Sequence, residues 1–133
     1  MLFFIKIESI EITQDSGDNE EMKTIADLRN GKLQTVLGAI KAEVNRMAGE
    51  ARLIVYGSYA RGEERDDSDV DLMVVLPDAL KTFEIEDRVR DVIYDIGFSN
   101  DFVISVMVVS ETQVSRNKGF MVFGSVEKEG VLI

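Results

Sequence analysis

Asp69 and Asp71 stand two apart at the head of an apolar run, Leu72-Met73-Val74-Val75-Leu76. In a strand, residues i and i+2 project from one face, about 6.6 Å apart along the backbone. Carboxylates so placed can converge on one or two divalent cations. Two-metal sites hold their ions about 3.5–4 Å apart and clamp the attacking and leaving oxygens of a phosphoryl displacement. Upstream, Gly57-Ser58 closes another apolar run, Leu53-Ile54-Val55-Tyr56. Glycine lets the backbone turn sharply and lets a ligand come close. If Ser58 opens a helical turn, its free N–H groups and hydroxyl form an anion site. Arg61, within one turn, can add a charge-assisted contact to a phosphate or pair with Glu64 or Asp67. Ser68 is either a turn-stabilising hydroxyl or a ligand. A phosphate cradle beside a carboxylate pair is the minimum for nucleotide chemistry with Mg²⁺.

The elements that position these residues follow from periodicity. Two short buried strands are expected at Arg52–Tyr56 and Val70–Leu76, with the charged loop 62–68 leading into the second. A helix over about 32–48 carries the apolar stripe Leu33, Val36, Leu37, Ile40, Val44 and Met47. A second, over 80–96, turns Phe83, Val89, Val92, Ile93 and Ile96 inward, and Phe102–Val109 reads as a third strand. Shorter pieces are a helix over 21–29 stopped at Asn30-Gly31, helical segments over 111–116 and 119–129, and a tail at Val131–Ile133. Residues 2–12 alternate like a strand, and 13–20 form a polar loop. The fold class is α+β, a small mixed sheet with helices packed on one side. Residues 1–20 stand apart from a domain spanning 21–133.

Composition narrows the chemistry. Among 133 residues there is no cysteine and no histidine. Thiolate zinc sites, cysteine nucleophiles, histidine bases and Ser-His-Asp triads are therefore impossible. A metal must be held by oxygen, which favours Mg²⁺, Mn²⁺ or Ca²⁺. With 25 acidic against 15 basic residues, the net charge of −10 opposes binding to DNA or large RNA. The apolar N-terminus is interrupted at Lys6 and is too short for a signal segment or a membrane span, so a cytoplasmic protein is expected.

Taken singly, these features have ordinary readings: Gly57-Ser58 as a plain turn, Asp66 to Asp71 as a solvated loop. Their spacing between two strands changes the balance. Asp71 opens an apolar run, where a carboxylate costs energy unless it is paired or metal-bound. A calcium loop would need glycine where Leu72 stands, and no Gly-Lys-Ser/Thr follows the glycines as a P-loop requires.

The stretch resembles the nucleotidyltransferase superfamily, whose fold is that of the DNA polymerase beta palm. The family pattern is Gly-Ser, ten residues, then Asp-x-Asp; here Gly57-Ser58 is followed by ten residues and Asp69-Val70-Asp71. Ala60-Arg61-Gly62 and Ser68-Asp69 also match small prokaryotic members, and Phe120 to Ile133, with Glu129-Gly130-Val131, looks like their ending. The resemblance implies that Asp69 and Asp71 bind Mg²⁺ (or Mn²⁺), while Gly57 and Ser58, aided by Arg61 and Ser68, hold the phosphates of ATP or another NTP. A substrate hydroxyl then attacks the α-phosphate and pyrophosphate leaves. Active members carry a third carboxylate on the next core strand. Here that strand offers only Ser105, so Asp101 at its edge is the candidate third catalytic residue, with Glu111 second. In small relatives the acceptor is often a helical HEPN-domain toxin, the transferase acting as its antitoxin; a HEPN-like partner or a homodimer is the implied partner. Two other functions stay open: a nucleotide- or partner-binding module without transfer, and a small-molecule (aminoglycoside-type) transferase.

Overall fold

The computed structural model describes residues 22–133. The expected strand at 2–12 and loop at 13–20 lie outside them. Five strands make one sheet: β1 (Lys23–Thr24), β2 (Arg52–Tyr56), β3 (Val70–Leu76), β4 (Ile104–Ser110) and β5 (Val131–Leu132), in the order β1-β5-β2-β3-β4. β2 and β3 run antiparallel, from Arg52 opposite Val75 to Tyr56 opposite Asp71. β3 and β4 run parallel, with Asp71 beside Ser105 and Leu76 beside Ser110. β3 is thus central, and every one of its residues except Asp71 is buried.

Alternation along the strands feeds two apolar layers. Leu53, Val55, Leu72, Val74 and Leu76 face α1 (Gly31–Met47) and α3 (Phe83–Ser99), whose buried stripes include Leu33, Leu37, Ile40 and Val44, and Val89 and Ile93. Ile54, Met73, Val75 and Val109 face the opposite side, where Val126 of α5 (Met121–Glu129) covers them. The mixed sheet with helices is as expected, and its two long helices do share one side. α5 on the other face departs from a one-sided arrangement, because β3 is apolar on both faces and needs cover on both. The remaining helices are short: α2 (Ser58–Arg61) and α4 (Glu111–Arg116).

Several boundaries moved for local reasons. Residues 23–27 are β1 and a 3-10 turn rather than part of a helix over 21–29. Thr24 N–H donates to Asp27 Oδ2 at 2.8 Å, and Lys23-Thr24 pairs with Val131-Leu132. The expected tail at 131–133 is therefore a strand, anchored further where Ile133 N–H donates to Leu53 O at 2.9 Å. α3 starts at Phe83, not 80, because Asp78–Leu80 form a 3-10 turn and the Thr82 hydroxyl accepts from Ile85 N–H at 3.2 Å. Phe83 consequently lies at the helix start and is 83% exposed, against the inward position expected for it. Among the described residues no helix is long and apolar enough to cross a membrane.

Gly38 sits on the exposed side of α1, and a Cβ added there would meet nothing within 4 Å, whereas Leu37 beside it is fully buried. Gly38→Ala is expected to stabilise the protein by about 0.5–1 kcal/mol. Leu37→Ala should destabilise it by about 2–5 kcal/mol. Urea denaturation measures both.

Candidate functional site

β2 ends at Tyr56 and the chain turns at Gly57, whose φ of 79° lies in the left-handed region that favours glycine. Ser58 then opens the single helical turn α2, which Gly62 ends in the left-handed conformation at φ 71°. Because Tyr56 lies opposite Asp71 in the antiparallel pair, the turn is carried directly over the Asp71 carboxylate. A Cβ at Gly57 would collide with Asp71 Oδ2 and lie 3.2 Å from its Cγ. Only glycine fits both the backbone conformation and the approach.

A cleft of about 580 Å³ opens here, lined by Tyr56, Gly57, Ser58, Arg61, Asp67, Ser68, Asp69, Asp71, Ser125 and Glu129. The structure thus brings Gly57, Ser58, Arg61, Ser68, Asp69 and Asp71 into one depression. Their distribution follows from alternation: Asp71 projects to the same face as Met73 and Val75, so the cleft lies on the α5 side of the sheet. Asp69 is exposed and Asp71 half-buried. Burial, then the charge of Asp69, pushes the Asp71 carboxyl above the usual carboxylate range; Glu129 adds to this and Arg61 opposes it. Burial and the Asp71 charge likewise push the Tyr56 phenol up.

Arg61 does not pair with Glu64 or Asp67. Its Nε donates to Glu63 Oε1 and its Nη1 to Glu129 Oε2, each at 2.9 Å. Glu64 instead meets Arg29 at 3.3 Å. The Ser68 hydroxyl accepts the Arg65 N–H at 2.8 Å, which closes the turn ahead of β3 while the residue still lines the cleft. Tyr59 points away, into the core, edge-on to Phe102 with ring centroids 6.2 Å apart.

Asp101, the expected third carboxylate, is not in the cleft. It occupies a left-handed position at φ 65° in the loop before β4, with its side chain 92% exposed and 3.8 Å from Lys32 Nζ of α1. β4 enters the sheet only at Ile104, opposite Val70, so Asp101 is left on the α1 side of the strand ends. Glu111 starts α4 at the far end of β4, six residues and about 20 Å of strand beyond Ser105. Ser105 itself stands beside Asp71. Among the described residues, no three acidic side chains cluster closely enough to hold a metal by themselves.

Besides Asp67, Asp69 and Asp71, the cleft is lined by Glu129, which periodicity and spacing did not single out. Its Oε2 accepts the Gly57 N–H at 2.8 Å as well as Arg61. α5 brings it there because Gly130 packs against β2; a Cβ on Gly130 would lie 2.8 Å from Ile54 Cγ2. Ser125, one turn earlier on α5, lines the same wall. Beyond the resemblance at Glu129-Gly130-Val131, the local signal was the i, i+4 pair Ser125 and Glu129, which names a helix face but no partner 72 residues away.

The raised carboxyl of Asp71 sets a pH dependence in metal-free protein. The folded state holds this proton to higher pH than the unfolded chain, so stability falls as pH rises from the unfolded value of 3.8 through the raised folded value. Asp71→Asn is expected to stabilise the metal-free protein at pH 7, with the gain shrinking as pH falls toward 3.8. Denaturant unfolding at both ends of that range checks it; an equal gain at both would show that ionisation of Asp71 is not the cause.

Comparison with known proteins places this cleft in context. A family model described as a nucleotidyltransferase domain matches residues 37–115. The chain is 35% identical over 75 residues to "Putative protein adenylyltransferase MJ1215" of Methanocaldococcus jannaschii, covering 54% of this chain and 81% of that protein. It is 39% identical over 59 residues to "Protein adenylyltransferase MntA" of Thermococcus cleftensis, covering 42% of this chain and 60% of that one. Among solved structures, a chain described as "a putative nucleotidyltransferase from Sulfolobus solfataricus" aligns at a TM-score of 0.49 and 22% identity, over 76% of this chain and 80% of that one.

Proposed function

Because the chain belongs to the nucleotidyltransferase domain family, whose model spans more than half of it, we propose that it transfers AMP from ATP to a hydroxyl of a protein acceptor. The observation that carries this reading is the close approach of the Gly57 turn to Asp71, with Asp69 at the rim of the same cleft. The names of the relatives support adenylyl transfer to protein.

Asp69 and Asp71 fit a divalent cation. The donors are oxygens only, and the carboxyl of Asp71 is held up by burial and by Asp69, a strain that a bound cation relieves. Mg²⁺ or Mn²⁺ held there would neutralise charge developing on the transferred phosphoryl group. Ser58, with its hydroxyl and first-turn N–H, and Gly57 would hold the β- and γ-phosphates of a bound nucleotide, and Arg61 would contribute a guanidinium. These groups position the nucleotide so that the acceptor oxygen lies in line with the leaving pyrophosphate. In the transfer, the acceptor O–P bond forms, the α–β phosphoanhydride bond breaks, and the hydroxyl proton passes to solvent or to a cleft carboxylate.

The acceptor side of the cleft is bounded by α5. Phe120 and Met121 at its start are 64% and 90% exposed, and Met121 lies one and two helical turns before Ser125 and Glu129, which line the cleft. Such an apolar lip suits a protein surface better than a small cationic drug. A helical HEPN-like toxin is the acceptor proposed from the family resemblance, with a homodimer as the other arrangement and the cytoplasm, where ATP and Mg²⁺ are supplied, as the location. A second reading, nucleotide binding without transfer, is favoured by Ser105 standing beside Asp71 where a third carboxylate would sit.

Incubation with Mg²⁺, labelled ATP and the product of the neighbouring gene tests both readings. Label is expected on protein, and Asp69→Asn with Asp71→Asn should lower its transfer by at least about 10²–10³-fold. Absence of label, together with stabilisation by Mg-ATP of about 2.7 kcal/mol at 100 times Kd, would select the binding reading. Met121→Asp should reduce labelling of a protein acceptor several-fold while leaving Mg-ATP binding unchanged in the same thermal-shift assay.

A further inference from the structure

Two of the donors that the proposed reading assigns to nucleotide phosphate, on Gly57 and Arg61, are already engaged by Glu129. Gly57 N–H at 2.8 Å and Arg61 Nη1 at 2.9 Å converge on one oxygen, Glu129 Oε2. A backbone N–H and a guanidinium meeting on a single anionic oxygen is the donor set that a phosphate oxygen takes. The Glu129 side chain is 21% exposed and enters from the last turn of α5, whose end is held close to β2 at Gly130. The three residues therefore belong to a built contact rather than a loose surface pair.

Resting on the nucleotide reading, we infer that Glu129 is an internal stand-in for phosphate. Its carboxylate occupies the Gly57–Arg61 seat in the free protein and must leave it when a cation-bound triphosphate enters. Two anionic oxygens cannot share those donors without repulsion, so the seat passes from one to the other. A glutamate can vacate by changing rotamer, without movement of α5. Competition of this kind sets the threshold for entry. A triphosphate carrying its cation offers several oxygens and displaces the carboxylate; a lone monoanion replaces it with nothing gained. Glu129 thereby acts as a specificity determinant for polyphosphate.

Isothermal titration with Mg-ATP and Mg-tripolyphosphate on wild-type protein and Glu129→Gln tests this. Glutamine keeps an oxygen for the Gly57 N–H and removes the competing charge. The expected result is binding about tenfold tighter in the variant for both ligands, a difference of about 1.4 kcal/mol. Equal or weaker binding overturns the inference and leaves the nucleotide site standing, since a residue that merely braces the turn would weaken binding when altered. Binding of neither ligand to either protein would remove the nucleotide reading and this inference with it. A second measurement does not depend on the variant. In amide spectra of the wild-type protein the Gly57 resonance should shift on saturation with Mg-tripolyphosphate; a Gly57 signal unmoved at saturation means that Glu129 has kept its seat.

Discussion

The close passage of Gly57 over Asp71 is the constraint on which the cleft depends. An antiparallel pair sets Tyr56 opposite Asp71, so the residue after Tyr56 must either climb away from the carboxylate or lie on it. A left-handed glycine lies on it, with no side chain to intervene. That places a turn with outward-facing N–H groups and a half-buried carboxylate on the two sides of one small volume. A larger residue would separate them by pushing either the turn or the Asp71 side chain away. The positive φ alone would strain any replacement by about a kcal/mol or more.

Concentrating acidic groups there opposes the stability of the free protein. Asp71 is partly buried beside Asp69, with Glu129 across the cleft and Arg61 as the nearby counter-charge. The apolar layers allow this arrangement. β3 is buried on both faces apart from Asp71, and both sides of the sheet are covered, one by the long helices and the other by α5. The buried scaffold therefore lies beneath a cluster of carboxylates that is electrostatically unfavourable in the free protein.

α5 has two roles at once. It closes the second apolar layer through Val126, and its last turn delivers Glu129 to the Gly57–Arg61 turn. β5 then runs back between β1 and β2. The segment after β4 is thereby stitched to the site and to the sheet.

Much of this was legible from residue order, and the parts that were not share a cause. Local patterns determined β2 and β3 to the residue, the two long helices to within a few residues, and the pairing of Gly57-Ser58 with Asp69 and Asp71, because each rests on a period or a fixed spacing within about twenty residues. The same patterns left the tail 131–133 unassigned and passed over Glu129, because a two-residue strand and a single carboxylate have no period of their own. The resemblance called for a third carboxylate on the next strand, and Asp101 was the nearest to β4 along the chain. Register decided otherwise: β4 joins at Ile104, which leaves Asp101 beside Lys32 and puts Ser105 beside Asp71. The sequence by itself determined the spacing that sets Gly57-Ser58 and Asp69 with Asp71 at the ends of two neighbouring strands. Only the tertiary structure decided which distant carboxylate faces them, because that depends on strand register and on the docking of α5, contacts made across 72 positions of chain rather than within any one element.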